Sequence, residues 1–295
     1  MVDAAPAGAT LELEPRYGCE SMVAKLRRVL VRPPEEAACG LWAEYGWRSA
    51  PDFAGLLAEH EELCSLLESS GAEVVVGAPV PLGLDAIYTF DPAIVSRRGA
   101  IVLRPGKELR VVEAAASAED LAAAGIPIVA TLEPPATVDG GDTIWLDEQT
   151  LLVGRGYRTN AAGVAALREA LPGVEVIEYD LPHFHGSAEV MHLLSLVSLV
   201  SRDVAVAYMP LMPVRLVQLL EDRGFRIVEV PDEEFETMGS NVLALEPGVT
   251  LALERNRETR LRLQRAGIEV LTYEGTELSK GDGGPTCLTR PLLRG

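Results

Sequence analysis

LLEDRGFRIVEV, residues 219–230, decides how this chain is read: a Leu-rich helical end, then a glycine, then a run rich in β-branched residues. A glycine just past the last helical turn fits a C-cap, because it takes the left-handed backbone conformation that other residues resist, and the residues after it favour strand. The same order recurs in LLESSGAEVVVG (66–77), LAAAGIPIVATL (121–132), LREALPGVEVIEYD (167–180) and LRLQRAGIEVLTY (261–273). The five glycines, Gly71, Gly125, Gly173, Gly224 and Gly267, are 54, 48, 51 and 43 residues apart, which predicts one supersecondary unit used five times. RRVLVRP (27–33), AIVLRPG (100–106), DTIWLD (142–147), TLLVGRG (150–156), VAVAYMP (204–210), NVLALEP (241–247) and VTLALER (249–255) read as further strands. Each unit is then strands plus one helix, and five such units can close around a common axis as a single α/β domain over residues 1–295.

Composition narrows the class. With 48% hydrophobic residues in 295, the chain can bury a large core. The apolar run from Leu193 to Val200 is ended by Arg202 and Asp203, too short for a membrane span. MVDAAPAGATLELEP at the N-terminus has no basic segment followed by an apolar one, so no signal peptide is read there, and residues 1–10 are expected to be a loose tail. A cytoplasmic setting follows as the expectation, with Cys19, Cys39, Cys64 and Cys287 reduced. They form no CxxC pair, so a structural zinc site has no sequence support. A net charge of −18 argues against a nucleic-acid partner and is compatible with a cationic small substrate.

Counting forward from each glycine, a polar residue in a turn-like setting follows the strand: Asp91 after 20 residues, Asp139 after 14, His192 after 19, Asn241 after 17 and Cys287 after 20. Around an axis these positions converge. Cys287 ends GDGGPTC (281–287), whose glycines and proline suit a shaped loop rather than a helix or strand. A thiol, an imidazole and a carboxylate from distant parts of a chain make a nucleophile, an acid/base and its orienter. Asp91 is surplus to that triad. A second acid opposes the developing oxyanion of acyl transfer, whereas it suits a planar cationic guanidinium.

The motifs then show a family resemblance. YTFDP (88–92) resembles the FTRDP of arginine deiminases, VDGGD (138–142) their EGGD, and GYRTN (156–160) the SxRTN of dimethylarginine dimethylaminohydrolases. MHLLS (191–195), GSNVLAL (239–245) and GTELSKGDGGPTCLTRPLLR (275–294) resemble the histidine, asparagine and terminal cysteine motifs, so the match runs from about Lys25 onward. The resemblance implies the guanidine-modifying superfamily and a five-bladed α/β propeller of ββαβ units. It implies Cys287 as nucleophile forming a thiouronium, His192 as acid and base, and Asp139 as its orienter. Asp91 would grip the guanidinium, Asp85 an α-amino group, and Arg158 and Arg110 an α-carboxylate. Asn241 either meets substrate or satisfies backbone groups in the centre.

The chain departs from the deiminase pattern in three places. Leu194 stands where deiminases carry a second substrate-binding Asp, which leaves an unsubstituted guanidinium with unpaired N–H groups and favours an N-substituted one. Asp139 replaces Glu, as in amidinotransferases, and Phe90 replaces Arg or Glu. The leading expectation is hydrolysis of an arginine derivative, for example methylated arginine, to citrulline plus an amine, with no metal or organic cofactor. Deiminase or dihydrolase activity, amidino transfer and a non-catalytic binding propeller are the alternatives. EEAACGLWAEYGWRS (35–49) is read as a lid, with an ordinary amphipathic connector as the other reading. His183 and His185 are read as satisfied loop histidines, not metal ligands. A homodimer is compatible with such a fold, though no sequence feature demonstrates one.

Overall fold

The computed structural model describes residues 15–187 and 191–295. The tail expected over residues 1–10 lies outside them. Among the described residues, fifteen strands form five three-stranded sheets. The first contains β1 (Leu26–Val31) and β2 (Glu73–Val76), and the second β3 (Ala93–Ser96), β4 (Gly99–Val102) and β5 (Ile128–Thr131). The third contains β6 (Thr143–Asp147), β7 (Thr150–Arg155) and β8 (Glu175–Asp180), and the fourth β9 (Val197–Leu199), β10 (Val204–Ala207) and β11 (Arg226–Glu229). The fifth contains β12 (Leu243–Glu246), β13 (Val249–Leu253) and β14 (Glu269–Tyr273), and β15 (Arg290–Arg294) returns to pair with β1.

Every sheet repeats one plan. Its first strand runs antiparallel to the second, and its second runs parallel to the third across a helical crossover. The five long helices are Phe53–Ser69, Val111–Ala123, Ala161–Ala170, Val214–Asp222 and Arg257–Arg265. The expected cap glycines follow them: Gly71, Gly125, Gly173, Gly224 and Gly267 have φ of +91°, +81°, +89°, +78° and +85°. The cap closes in hydrogen bonds such as Phe225 N to Leu220 O (2.8 Å) and Ile268 N to Leu263 O (3.0 Å), which turn the chain straight into the third strand.

The first and second strands of each sheet are largely buried on both faces, the third strands are more exposed, and side-chain alternation decides which neighbour each face meets. In β10, Ala205 and Ala207 join the apolar cluster shared with the third sheet, while Val204 and Val206 join the one shared with the fifth. In β1, Val29 and Val31 pack toward the fifth sheet and Leu30 toward the second. The cluster between the second and third sheets is built in the same way from Ile94, Ile101, Leu151 and Val153. Five apolar clusters thus link consecutive sheets, and the last joins the fifth sheet back to the first. The first strands face a common centre: one cavity is lined by Ile94 of β3, Trp145 of β6, Leu199 of β9, Ala244 of β12 and Arg290 of β15.

Three first strands were not among the expected elements. β3 and β9 are four and three residues long and buried throughout, so they carry no apolar–polar alternation. β15 contains Pro291, which reads as a break in a sequence but is tolerated at a sheet edge.

Candidate active site

Asp91, Asp139, His192, Asn241 and Cys287 each lie within a few residues before the first strand of a sheet, which brings all five to one end of the centre. Asp139 Oδ2 is 3.1 Å from His192 Nε2, and its Oδ1 accepts from Gly106 N at 2.7 Å. Asp91 Oδ1 accepts from Gly141 N (2.8 Å) and lies 4.0 Å from His192 Nδ1. Phe90 N, next to Asp91, donates to Cys287 O (3.1 Å), tying the Cys287 loop to the carboxylate. Asn241 Nδ2 donates to Cys287 Sγ at 3.1 Å while its Oδ1 accepts from Thr286 N at 3.1 Å, so one amide holds both the thiol and the peptide before it.

The paired glycines of VDGGD are required by close approach. A Cβ on Gly141 would overlap the His192 ring and sit 2.9 Å from Asp91 Oδ1, and one on Gly140 would sit 3.0 Å from Asp91 Cα. The same holds in GDGGPTC. The left-handed φ expected of a glycine there falls on Asp282 (+63°), while Gly281, Gly283 and Gly284 leave room for Trp47, the Tyr88 ring and Asn241.

Burial and neighbouring charge set the protonation states. Burial pushes the Cys287 thiol up to about 11, with the Asp91 charge adding to the rise, so the free thiol is protonated at neutral pH. His192 moves the other way from what its burial dictates: the carboxylates of Asp91, Asp142 and Asp139 around it raise it to about 9. Asp91 is held down at about 2, where Arg110 and His192 outweigh its own desolvation.

Two acids beyond the sequence candidates complete the centre. Asp142 accepts from Thr159 Oγ1 (2.6 Å) and from Leu193 N (3.1 Å), which anchors the one-turn helix Leu193–Leu196 behind His192. Burial raises it to about 7. Its place in VDGGD was the available signal. Glu113, raised to about 7 by burial, pairs with Arg110 at 2.8 Å, and nothing in the sequence around it marks it.

Arg110 is not positioned as a carboxylate binder. Its Nη1 donates to Asp91 Oδ2 (2.5 Å), and its Nε and Nη2 donate to Glu113, because acids on two sides of a buried guanidinium outcompete any outward orientation. Arg158 fits that role better: it is nearly buried, and its Nη1 reaches Asp139 Oδ2 only at 3.5 Å, longer than an ordinary N–H···O bond. Asp85 accepts from Trp47 Nε1 (2.8 Å) and Lys107 Nζ (2.6 Å). Trp47 belongs to the expected lid, which docks as the short helical turns Glu36–Leu41 and Trp42–Tyr45 and buries Tyr45 and Trp47. Beside the centre, a cavity of about 460 Å³ runs between Gly46, Arg48, Met191, Ser195, Met238 and Asp282.

Leu194 and Phe90 share the apolar cluster between the third and fourth sheets. His183 shares a hydrogen bond of 2.8 Å with Tyr157 Oη, and the His185 ring lies against Phe184 at 3.9 Å between centroids, tilted by 59°. Asp91, Asp139 and His192 place potential ligand atoms within 4.8 Å of one another. Those carboxylates already accept from Arg110, Gly141 and Gly106, and the guanidinium and imidazolium beside them repel a metal cation.

A thiol, an imidazole and carboxylates thus gather where five repeated sheets meet, and comparison with known proteins gives the class. The arginine deiminase family profile matches residues 120–217 and 212–294, and the chain belongs to that family. Among curated relatives, the uncharacterized protein YkgA of Bacillus subtilis is 28% identical over 238 residues, covering 80% of each chain. The arginine deiminase of Mycobacterium avium is 33% identical over 193 residues, which are 54% of this chain and 47% of that one. The chain therefore spans about half the length of the arginine deiminases it matches. Dimethylarginine dimethylaminohydrolase of Pseudomonas aeruginosa, solved with citrulline, superposes with a TM-score of 0.76 at 23% identity, over 90% of this chain and 99% of that one.

Proposed function

We propose that this chain is a cysteine-dependent hydrolase of the guanidine carbon of an arginine derivative, built as a five-bladed propeller and working in the cytoplasm without a cofactor. What supports the reading is that Cys287, held by Asn241, and His192, held by Asp139, both lie within the field of the Asp91 carboxylate. Asp91 pairs with the substrate guanidinium, Arg158 with a carboxylate at the far end, and Asp85 with an amino group once Lys107 yields.

The protonation states suggest the order of events. A neutral thiol is a poor nucleophile, but a guanidinium set against it brings a positive charge that favours the thiolate. The sulfur then bonds to the guanidine carbon. His192 gives its proton to the departing amine as the C–N bond breaks, leaving a thiouronium. The neutral imidazole next takes one proton from water, whose oxygen adds to the same carbon as hydroxyl; as the C–S bond breaks, that hydroxyl's proton passes to the sulfur, which replaces the thiol proton released to solvent on substrate binding, and the ureido product leaves.

Arginine deimination is the second reading, favoured by the deiminase profile over residues 120–294. Leu194 opposes it, since it supplies no second carboxylate for an unsubstituted guanidinium. Ureido product is measured from arginine, monomethyl- and dimethylarginine, agmatine and guanidino acids, with and without an amine acceptor, for the wild type and Cys287→Ser. Turnover of methylated arginine that Cys287→Ser lowers at least ~10³-fold is the expected result. Turnover of arginine alone selects deimination, product only with an acceptor selects transfer, and no turnover of any compound sinks the enzymatic reading.

A further inference from the structure

Beneath the candidate site, the first strands together with Cys19, Ser21 and Met22 line a partly open cavity of about 20 Å³, room for one particle of water's size. Two arginines of β15, Arg290 and Arg294, line it. Both are more than nine-tenths buried. Arg294 donates to Ala24 O (2.6 Å) and Ala244 O (2.8 Å), and Arg290 donates to Ala93 O and lies 3.7 Å over the Phe90 ring. These partners are carbonyls and a π face, and no ion pair among the described residues includes either arginine.

Two donors on residues that line the same cavity have no partner: Arg290 Nε and the hydroxyl of Thr286, itself almost fully buried. Cys19 cannot serve as a counter-ion, because burial pushes its thiol up to about 12 and keeps it neutral. Asp91, the acid whose field reaches Arg290, has its oxygens engaged by Arg110 and Gly141. Burial lowers both arginines to about 10, which still leaves two positive charges at neutral pH. Uncompensated buried charge is unfavourable unless something of opposite sign joins it.

We propose that this axial cavity binds one small monovalent inorganic anion of the halide class, held between Arg290 and Arg294 with the Thr286 hydroxyl as a further donor. A volume of about 20 Å³ suits a single small ion better than an organic carboxylate or phosphate. The site bears on the reaction through Thr286, whose N–H is bound by Asn241 and which precedes Cys287, so a filled cavity fixes the floor of the nucleophile's loop. The inference stands apart from the hydrolase reading, since it concerns occupancy and stability rather than turnover.

The full chain is melted in sodium chloride, sodium bromide and sodium gluconate at equal ionic strength, and bromide-grown crystals are measured at the bromine edge. The expected result is a saturable halide-dependent rise in Tm of about 2–4 °C over gluconate, and one anomalous peak between the two arginines. Arg290→Met is expected to lose both. Equal Tm in all three salts with no peak, or a halide effect that survives in Arg290→Met, overturns the proposal. Should Arg290→Met not fold, Thr286→Val is expected to raise the half-saturating halide concentration at least ~5-fold; an unchanged value overturns it.

Discussion

At the scale of single residues, His192 is the group whose chemistry is most dependent on its neighbours. A buried histidine normally loses proton affinity, but three carboxylates reverse that and carry it to about 9. If it must donate to the leaving amine, kcat falls as pH rises through about 9, and Asp139→Asn moves that fall down by about 1–2 pH units. A kcat flat between neutrality and pH ~10.5 would remove His192 as the acid. Linkage gives a second readout. The folded value lies above the unfolded 6.5, so the stabilisation is complete below pH 6.5 and lost as pH rises through about 9; Tm should decline over that window, less so in His192→Asn. That Cys287, His192, Asp139 and Asp91 come to one place was legible because motif and repeat position coincide. The pairing of Arg110 with Glu113 was not, because a helix three residues apart brings them together only when both are driven into the interior.

At the scale of elements, two kinds of glycine do different work, and substitution separates them. Gly224 has φ +78° with open space where a Cβ would stand, so Gly224→Ala meets only the conformational penalty, about 1–2 kcal/mol of stability. Its kcat should be unchanged. Gly141→Ala drives a methyl into His192 and Asp91 and should lower kcat at least ~10²-fold. Urea titration and steady-state kinetics on both variants test the division, and a Gly141→Ala enzyme of normal kcat would refute the catalytic placement. The helix caps were readable from sequence because a left-handed cap leaves a local signature. The close approaches around GDGGPTC were not, since Trp47, Tyr88 and Asn241 come from three other parts of the chain.

At the scale of the whole molecule, β15 completes the first sheet by pairing Leu26 with Arg294 and Leu30 with Arg290. The ring of apolar clusters is closed on that side by Leu292, in the cluster between the first and second sheets. Removing residues 290–295 should abolish a single cooperative unfolding transition, as seen by calorimetry, because β1 loses its antiparallel partner and the cluster between the first and second sheets loses Leu292. A truncated chain melting at the wild-type temperature would show that closure contributes nothing.

The sequence by itself determined the repeat, the helix ends, the strand runs of second and third position, and which residues stand as candidates for the proposed nucleophile, acid and orienter, because each depends on residues near one another or on a period. The tertiary structure alone decided that Arg110 serves Asp91 and Glu113, that Asp85 is engaged by Trp47 and Lys107, and that two arginines line the axis. Those partnerships join residues tens of positions apart. Their energies arise only once burial has removed water from the charges, and burial belongs to the assembled ring.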